Sequence, residues 1–178
     1  KTDSMVVQNL RKKYGDFTAV NDISFGVKRG EVFGLLGTNG GKKNEIEDKV
    51  FHMTLLLSFV AGKTTTFKMI TGAERITSGN IIIDGVNVKN NMSQVFKKIG
   101  YCPQFDGLLL ELTGRETLRI VSRIRGIAEK SIDSQVDALA KMLAFSKHID
   151  KPVSSYSGGT KRKLSFAIAT IGNPMVNL

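Results

Sequence analysis

The sequence predicts an α/β fold in which strands and helices occur in mixed order. Residues 5–10, 21–28 and 31–36 have the composition of strands, and an Asp-Gly pair within residues 81–88 predicts a hairpin. From residue 113 onward, apolar side chains recur at helical spacing. The predicted strand 31–36 runs into a glycine-rich turn, which is a typical context for a phosphate-binding site.

Length and composition are those of one globular domain. The chain has 178 residues, 41% of them hydrophobic, and its single cysteine, Cys102, excludes an internal disulfide framework. No N-terminal stretch resembles a signal peptide, so we expect a cytosolic setting. The longest apolar run, residues 53–62, is far shorter than the roughly 20 residues that cross a bilayer, and the chain itself is not expected to span a membrane.

The net charge of +10 would suit nucleic acid, anionic lipid or nucleotide phosphates as partners. A diffuse basic surface with none of these preferences explains the charge more simply. The sequence has no pattern of stacking aromatics in a basic groove, so no direct contact with nucleic acid is expected.

The predicted strands flank the first helix, which follows the glycine-rich turn. Strand 31–36 is nearly all apolar, which predicts burial on both of its faces. In "IIIDGVNV", residues 81–88, the Asp-Gly pair between two β-branched runs is the strongest short-range signal for a two-residue hairpin turn.

Three further helices are predicted in the second half of the chain. "TGRE", residues 113–116, matches a capping box in which Thr113 caps a helix that ends near Arg125 and Glu116 reaches back. A second helix covers residues 129–145, and a last one begins near Gly159. The side chains expected on the buried sides of these two are Ile132, Val136, Leu139, Ala140 and Leu143, then Leu164, Ala167, Ile168 and Ile171.

The segment "GTNGGKKNEIEDKVFHMTLLLSFVAGKTTT", residues 37–66, contains two halves of a phosphate-binding loop (P-loop) separated by the twenty residues 41–60. Joining Gly40 to Ala61 gives G-x-x-x-x-G-K-T, whereas neither half is complete alone. In this motif the glycines let backbone N–H groups surround phosphate oxygens at a helix N-terminus. The alternative is two glycine-rich turns that lie near each other by chance.

The residues of the rejoined loop are the predicted phosphate site. Lys63 is assigned to the terminal phosphates as a catalytic residue, and Thr64 to Mg²⁺. The full set is Gly37, Thr38, Asn39, Gly40, Ala61, Gly62, Lys63, Thr64 and Thr65.

Two further motifs resemble those of one family. "YCPQFDGLLLELTGRETL", residues 101–118, is similar to the Q-loop region of the nucleotide-binding domain of ATP-binding cassette (ABC) transporters. "YSGGTKRKLSFAIATIGNP", residues 156–174, resembles their signature sequence, and the basic run 161–163 within it suggests the A subfamily of lipid exporters. Apart from residues 41–60, the resemblance covers essentially the whole chain.

The resemblance implies one incomplete nucleotide-binding domain over residues 1–178. Its fold would be a P-loop NTPase core of the ABC type, with an antiparallel β-subdomain and a helical signature subdomain at about residues 113–165. The family pattern continues beyond "NPMVNL" into an Asp-Glu pair that holds magnesium and polarises the attacking water. We therefore expect little ATP hydrolysis from these 178 residues.

The resemblance also assigns roles to matching residues. Tyr14 would stack on adenine, and Gln104 would reach Mg²⁺ and the attacking water while its loop relays motion to the transmembrane part. Ser157, Gly158 and Gly159 would close over ATP bound by a partner domain. The simpler alternatives are a tyrosine that ends a strand, a loop glutamine beside Pro103, and a helix cap.

Other polar residues receive simpler interpretations. The basic run 161–163 is predicted to be a solvated helix face. His52 and His148 match no motif and are expected to be surface or core residues.

The implied function is to couple ATP binding and hydrolysis to transmembrane lipid transport in a parent transporter. The implied cofactors are ATP and Mg²⁺. The implied partners are a second nucleotide-binding domain, packed head to tail, and the parent's transmembrane domains, with the chain at the cytoplasmic face of a membrane. Two alternatives are a catalytically dead module that completes a partner's ATP site and a soluble ATPase that acts on nucleic acid.

The twenty extra residues have an explanation at the level of nucleic acid. Twenty codons keep the reading frame, Gly41-Lys42 can be encoded with a splice-donor GTAAG, and Val60-Ala61 can be encoded with an AG before the resumed exon. The hypothesis is a retained intron or a gene-model error, and the alternative is a natural loop. In both cases the insert separates amides that must converge on one phosphate, which predicts weakened or absent ATP affinity.

Overall fold

A computed structural model describes residues 3–36, 58–59 and 62–178 of the chain. The chain divides into two compact units, Lys1–Phe96 and Lys97–Leu178. In the first unit the elements are β1 (Asp3–Tyr14), β2 (Phe17–Lys28), β3 (Leu35–Leu36), β4 (Ser58–Phe59), α1 (Lys63–Ile70), β5 (Ser78–Ile83) and β6 (Val86–Asn87), and α2 (Met92–Lys98) begins there.

A four-stranded antiparallel sheet forms most of the first unit, in the order β2-β1-β5-β6. The strands predicted at residues 5–10 and 21–28 are confirmed, and both extend further than predicted, to meet at a tight turn where Tyr14 pairs with Phe17. The fully buried side chains include Val7 and Leu10 of β1, Val20 of β2, Ile81 and Ile83 of β5, and Met69 and Ile70 of α1. Burial of this apolar surface stabilises the unit.

The predicted hairpin at residues 81–88 is confirmed. Ile83 pairs with Val86, so Asp84 and Gly85 form a two-residue loop between β5 and β6. Their φ angles, 45° and 78°, are both positive, as a type I′ turn requires. Asp and Gly are the residue types that adopt this conformation most easily, which explains why the local sequence predicts it.

The prediction for residues 31–36 is wrong in extent and in burial. The strand β3 covers only Leu35–Leu36, and Val32 is 81% exposed. Its partner β4 is itself only two residues long and pairs with it in parallel, so no described ladder covers residues 31–34. An apolar run predicts burial only when neighbouring strands extend along it.

The second unit consists of helices and a short parallel strand pair. Its elements after α2 are β7 (Ile99–Gly100), α3 (Gly114–Ile124), α4 (Glu129–Met142), a 3₁₀ turn (Val153–Ser155), α5 (Gly158–Thr170) and β8 (Val176–Asn177). β7 pairs with β8 in parallel, Ile99 opposite Val176. The sequence does not predict this pairing, because each strand has two residues and the pair is separated by the whole helical segment.

The capping box at the start of α3 is confirmed. The Thr113 hydroxyl accepts a hydrogen bond from the Glu116 amide at 3.1 Å, and the Glu116 carboxylate accepts one from the Thr113 amide at 2.8 Å. Both contacts satisfy amides that helix geometry leaves without partners.

The helix predicted at residues 129–145 ends earlier, at Met142. Ala144 has a left-handed backbone with φ 53°, and the Phe145 amide donates to the Ala140 carbonyl at 2.9 Å, which is the pattern of a Schellman C-terminus. Glycine usually occupies the left-handed position, so an alanine there gives no sequence signal for the helix end.

The core of the second unit lies among α3, α4 and α5. Of the side chains predicted to face inward, Ile132, Val136, Ala140, Leu164, Ala167 and Ile171 are buried, whereas Leu139, Leu143 and Ile168 are only partly buried. Leu118 of α3 joins them, with Phe145, Ile149, Val153 and Tyr156 from the connecting segments. The helical spacing therefore identifies the correct faces of α4 and α5.

Arginines of α3 form ion pairs with carboxylates that follow it in the chain. The pairs are Arg115 with Asp150 at 2.6 Å and with Asp137 at 2.8 Å, Arg119 with Asp133 at 2.7 Å, and Arg123 with Glu129 at 2.5 Å. Each carboxylate is largely exposed, so each pair contributes modestly to stability.

Candidate functional site

The N-terminus of α1 carries the second half of the predicted phosphate loop. Lys63, Thr64 and Thr65 are its first three residues, and Thr64 is exposed. The amides of a first helical turn have no acceptor within their own helix, and this end of the helix bears the positive part of the macrodipole. No acidic side chain lies in this first turn, so nothing in it neutralises that end.

Gly62 begins this helix because no other residue fits there. Its φ is 92°, and a Cβ atom added to it would lie 2.3 Å from the Ala19 carbonyl oxygen and 2.9 Å from a methyl group of Val20. The Gly62 carbonyl accepts hydrogen bonds from the Thr66 amide at 2.8 Å and the Thr66 hydroxyl at 3.1 Å. The helix start is thereby held close against β2.

Other predicted phosphate-site residues lie outside the described part of the chain. These are Gly37, Thr38, Asn39, Gly40 and Ala61, together with the insert 41–60 except for the backbone of Ser58–Phe59 in β4. Their assignment to a nucleotide stays a prediction.

Tyr14 is the last residue of β1 and is 43% exposed. The Lys12 ammonium lies over its ring, 4.7 Å from the ring centroid, and pairs with the Glu74 carboxylate at 2.9 Å. The hydrogen bond with Lys12 is the main reason that the pKa of the Glu74 carboxyl lies below its ordinary value. The structure therefore adds Lys12 and Glu74 to the surroundings of Tyr14.

Sequence reasoning missed both of these residues. A lysine two positions before the tyrosine, in the same strand, is the one local signal for Lys12. Glu74 follows it by more than sixty residues, and no local pattern connects the two.

Ser157 caps α5 in the second unit. Its backbone is extended, with φ −64° and ψ 159°, and its hydroxyl accepts a hydrogen bond from the Thr160 amide at 3.2 Å. The simple interpretation of Ser157 as a helix cap is therefore correct, and capping is compatible with a ligand at the same helix end.

Gly158 and Gly159 are the first two residues of α5, and the fold does not require glycine at either. Neither has a positive φ, and a Cβ atom added to either would meet no described atom within 4 Å. Glycine at a helical position costs about 1 kcal/mol relative to alanine. Neither the backbone conformation nor the packing against the described residues therefore requires glycine at these two positions.

Gln104 lies in an exposed bend after β7. Residues 103–106, here called the Gln104 loop, contact α5 at two positions. The Pro103 carbonyl accepts a hydrogen bond from Arg162, and the second contact is made by Asp106. The Asp106 carboxylate accepts a 2.6 Å hydrogen bond from the Ser165 hydroxyl and pairs with Arg162 at 3.3 Å. Contacts with α5 are therefore made both before Gln104, at Pro103, and after it, at Asp106.

The basic run 161–163 is a solvated helix face only in part. Arg162 and Lys163 are both exposed, but Arg162 contacts the Gln104 loop, and the Lys163 ammonium donates to the Ala144 carbonyl at 3.3 Å. His148 is an exposed residue whose ring packs edge-on against Tyr156, whereas His52 lies outside the described residues.

Residues 3–36 and 62–178 contain no group of three or more His, Cys, Asp or Glu side chains placed to hold a metal ion. The predicted Mg²⁺ ligands are instead a hydroxyl, from Thr64, and an amide oxygen, from Gln104. Mg²⁺ prefers oxygen ligands and takes few from protein when nucleotide phosphates supply the rest, so both residues fit this chemistry.

None of the helices in the described ranges combines the length and apolar character that membrane crossing requires.

Comparisons with known proteins find relatives over nearly the whole chain. Residues 60–178 match the family described as "ABC transporter". Over 175 residues the chain is 43% identical to "Phospholipid-transporting ATPase ABCA3" of Rattus norvegicus, covering 97% of this chain and 9% of that protein. Over 177 residues it is 44% identical to "ATP-binding cassette sub-family A member 2" of Rattus norvegicus, covering 97% of this chain and 6% of that protein. The chain thus spans less than a tenth of the length of either relative.

A solved structure shows the same fold. "Structure of ATP binding subunit of ABC transporter" superposes with a TM-score of 0.79 at 25% sequence identity, covering 99% of this chain and 65% of that one. The α/β fold class and the resemblance drawn from residues 101–118 and 156–174 are confirmed.

Proposed function

The chain belongs to the ABC transporter family, and we propose that the N-termini of α1 and α5 bind ATP in a transporter of the A subfamily. The observation that carries this proposal is the pair Gly158 and Gly159 at the start of α5. Each is helical, each has open space where a side chain would be, and neither has a structural reason to be glycine. Glycines of this kind are expected where the backbone must approach a phosphate closely, because a side chain would obstruct that approach.

Different residues are proposed to contact different parts of the nucleotide. Tyr14 stacks on the adenine, and the α1 N-terminus with Lys63 holds the phosphates. Ser157, Gly158 and Gly159 contribute to ATP bound by a second nucleotide-binding domain. That arrangement requires two domains packed head to tail, so that each α5 N-terminus faces the partner's phosphates.

ATP and Mg²⁺ are the proposed cofactors. Thr64 and Gln104 would hold Mg²⁺, whose charge supplies electrostatic stabilisation of the phosphates when it is bound. Lys63 contributes a fixed positive charge at the terminal phosphates, and Gln104 orients the attacking water.

Transmembrane lipid transport is the proposed use of the ATP. The name of one relative describes phospholipid transport, and this chain is 43% identical to that protein over 175 residues. By the same likeness, the proposed partners are transmembrane domains, and the proposed location is the cytoplasmic face of a membrane. The Gln104 loop, fastened to α5 through Asp106 and Arg162, would pass motion between the ATP site and those domains.

Residues 41–60 are proposed to be an insert in the phosphate loop, with a retained intron or a gene-model error as its origin. The family match begins at residue 60, next to Ala61, where the second half of the loop resumes. Sequencing the mature transcript across codons 36–66 tests the origin. A message that encodes Gly40 followed directly by Ala61 supports it, and a message that keeps all twenty codons contradicts it.

Equilibrium binding of ATP with Mg²⁺ to the full chain tests the proposed site. Lys63→Met removes the charge assigned to the phosphates, and Lys68→Met, in the same helix, removes an exposed charge from its last turn. We expect Lys63→Met to weaken ATP binding at least tenfold and Lys68→Met to change it less than twofold. Equal effects of the two variants, or no saturable ATP binding by a variant that lacks residues 41–60, would contradict the proposal.

A further inference from the structure

Lys12 is a buried cation in a β-sheet, and none of the roles above uses its charge. It lies in β1, which pairs with strands on both sides, and it is 8% exposed. Lysine is almost never buried to this degree unless it is paired, because removing its charge from water is costly. The position therefore needs a reason beyond filling space, which an apolar side chain would do better.

The Lys12 ammonium has three partners in the first unit. It pairs with the Glu74 carboxylate at 2.9 Å, donates to the Arg75 carbonyl at 2.8 Å, and lies 4.7 Å from the centroid of the Tyr14 ring. The separation from the ring is that of a cation–π contact. One cation is thereby held by two oxygens on one side and by an aromatic face on the other.

The ammonium lies over one face of Tyr14, and the tyrosine remains partly exposed. The side chain of Lys12 is 10% exposed, whereas Tyr14 is 43% exposed. A base can stack only on a face that is free, so this arrangement offers it a single face. A ring that is fixed before binding also loses less conformational freedom when the base arrives.

Glu74 connects this arrangement to the helix that begins at the phosphate site. It lies in the bend that follows α1, and its amide donates to the Lys68 carbonyl of that helix at 3.0 Å. The next residues are bonded to β1 as well: the Thr77 amide donates to the Arg11 carbonyl, and the Thr77 hydroxyl accepts from the Lys13 amide, both at 3.1 Å. The end of β1 and the end of α1 are therefore held together, with the Lys12–Glu74 pair between them.

We propose that Lys12 and Glu74 are positioning residues for the adenine base: their ion pair holds the Tyr14 ring at a fixed place relative to α1, with one face packed on the ammonium and the other free. This inference rests on the proposed ATP site. It adds that affinity for the base, as distinct from affinity for the phosphates, depends on a buried charge that does not touch the nucleotide.

The test compares ATP with inorganic tripolyphosphate, which has the phosphates and no base, as ligands of the full chain in the presence of Mg²⁺. Lys12→Met keeps the length of the side chain and removes its charge. Lys13→Met makes the same change of net charge at the exposed neighbouring residue. We expect Lys12→Met to weaken ATP binding about five- to tenfold and tripolyphosphate binding less than twofold, and Lys13→Met to leave the ratio of the two affinities unchanged.

Two further variants keep the test decisive if Lys12→Met does not fold. Glu74→Gln changes a side chain that is 29% exposed and leaves the lysine in place, so it is expected to fold and to show a smaller loss that is again confined to ATP. Lys12→Arg keeps a cation that can both stack on the ring and pair with Glu74, and it is expected to retain most of the preference for ATP.

The outcomes separate this inference from the proposed function. If Lys12→Met and Glu74→Gln weaken ATP and tripolyphosphate equally, or weaken neither, the inference is wrong while the ATP site stands. If the parent chain binds ATP no better than tripolyphosphate, Tyr14 does not hold a base, and both the adenine role and the inference fail. If neither the parent chain nor a variant that lacks residues 41–60 binds either ligand, the proposed function fails, and the inference fails with it.

Discussion

The N-termini of α1 and α5 both carry glycine, but for different physical reasons. At the start of α1, Gly62 has a φ of 92° and leaves no room for a Cβ beside the Ala19 carbonyl. At the start of α5, Gly158 and Gly159 have open space around them and no positive φ. The first glycine is required by the fold whether or not a ligand binds. For the other two, the described residues impose no such requirement, and the proposed role of α5 at a partner's phosphates supplies a reason.

The N-termini of α1 and α5 also share the absence of acidic residues. Neither first turn contains an acidic side chain, although such residues are favoured at that position. An acidic group there would neutralise the end of the helix and repel phosphate. Both ends therefore keep a positive potential that an anionic ligand can use.

The largest effect in this comparison is expected from Gly62→Ala. The added methyl group meets the Ala19 carbonyl, and an L-residue is strained at this backbone conformation, so the free energy of unfolding should fall by roughly 2–4 kcal/mol. Urea unfolding of the full chain measures it. Gly30→Ala is the control, since Gly30 has a φ of 75° but open space, and it should lose only about 1 kcal/mol. Equal losses at the two positions would show that the close approach to β2 is unimportant.

Removing the cap of α5 should have a smaller effect. Ser157→Ala deletes the hydroxyl that accepts from the Thr160 amide, and loss of such a cap costs about 1 kcal/mol. The matched control is Ser134→Ala, which removes an exposed serine hydroxyl from the interior of α4 and should leave stability unchanged or slightly higher. Thermal unfolding compares the two variants. A Ser157→Ala variant as stable as the parent chain would contradict the stabilising role of this cap.

Replacing the glycines of α5 by alanine should raise stability and weaken function. Gly158→Ala and Gly159→Ala should each raise the free energy of unfolding by up to about 1 kcal/mol, because alanine favours a helix and no described atom obstructs it. The same variants should reduce ATP-dependent association of the chain, measured by sedimentation with and without ATP. Variants that lose stability, or that associate as well as the parent chain, would remove the argument for a ligand at this helix end.

The smallest effect is expected from pH, through the ion pairs of α3. Hydrogen bonds from Arg119, Arg123 and Arg115 hold the pKa values of Asp133, Glu129 and Asp150 below their ordinary range near 4. Because the folded state binds these protons more weakly than the unfolded state, the stabilisation is present above about pH 4.5. It is lost as the pH falls through the lowered folded values.

Unfolding of the chain and of Asp133→Asn between pH 6 and pH 3 tests this expectation. The parent chain should be the more stable at pH 6, and the difference should shrink as the pH falls. Glu111→Gln serves as the control, since no ion pair of α3 involves it. A difference that grows toward acid would contradict the assignment of the charged form to these pairs.

Local chemistry decides which features the sequence predicts. The turn at Asp84-Gly85 and the capping box of Thr113 and Glu116 are correct because each depends on residues within four positions of each other. The end of α4 is missed because Ala144 occupies a position where glycine is usual. The short extent of β3 is missed because it depends on which strand lies beside it, and no local pattern states that.

The candidate site follows the same rule. Lys63 and Thr64 are correctly predicted at a helix N-terminus, since a glycine followed by Lys-Thr-Thr is itself the helix start. The contact of Lys12 with Glu74 joins residues far apart in the chain, and so does that of Asp106 with Ser165. Such pairs follow from the folded topology and become visible only in the structure.

The proposed phosphate loop is tested by comparing the ATP affinity of the full chain with that of a variant in which residues 41–60 are deleted. The deletion joins Gly40 to Ala61 and restores an uninterrupted G-x-x-x-x-G-K-T ahead of α1. We expect the deletion variant to bind ATP at least tenfold more tightly than the full chain, and Lys63→Met to abolish this gain. Equal affinities of the two chains, or a deletion variant that does not bind ATP, would contradict the proposed phosphate site.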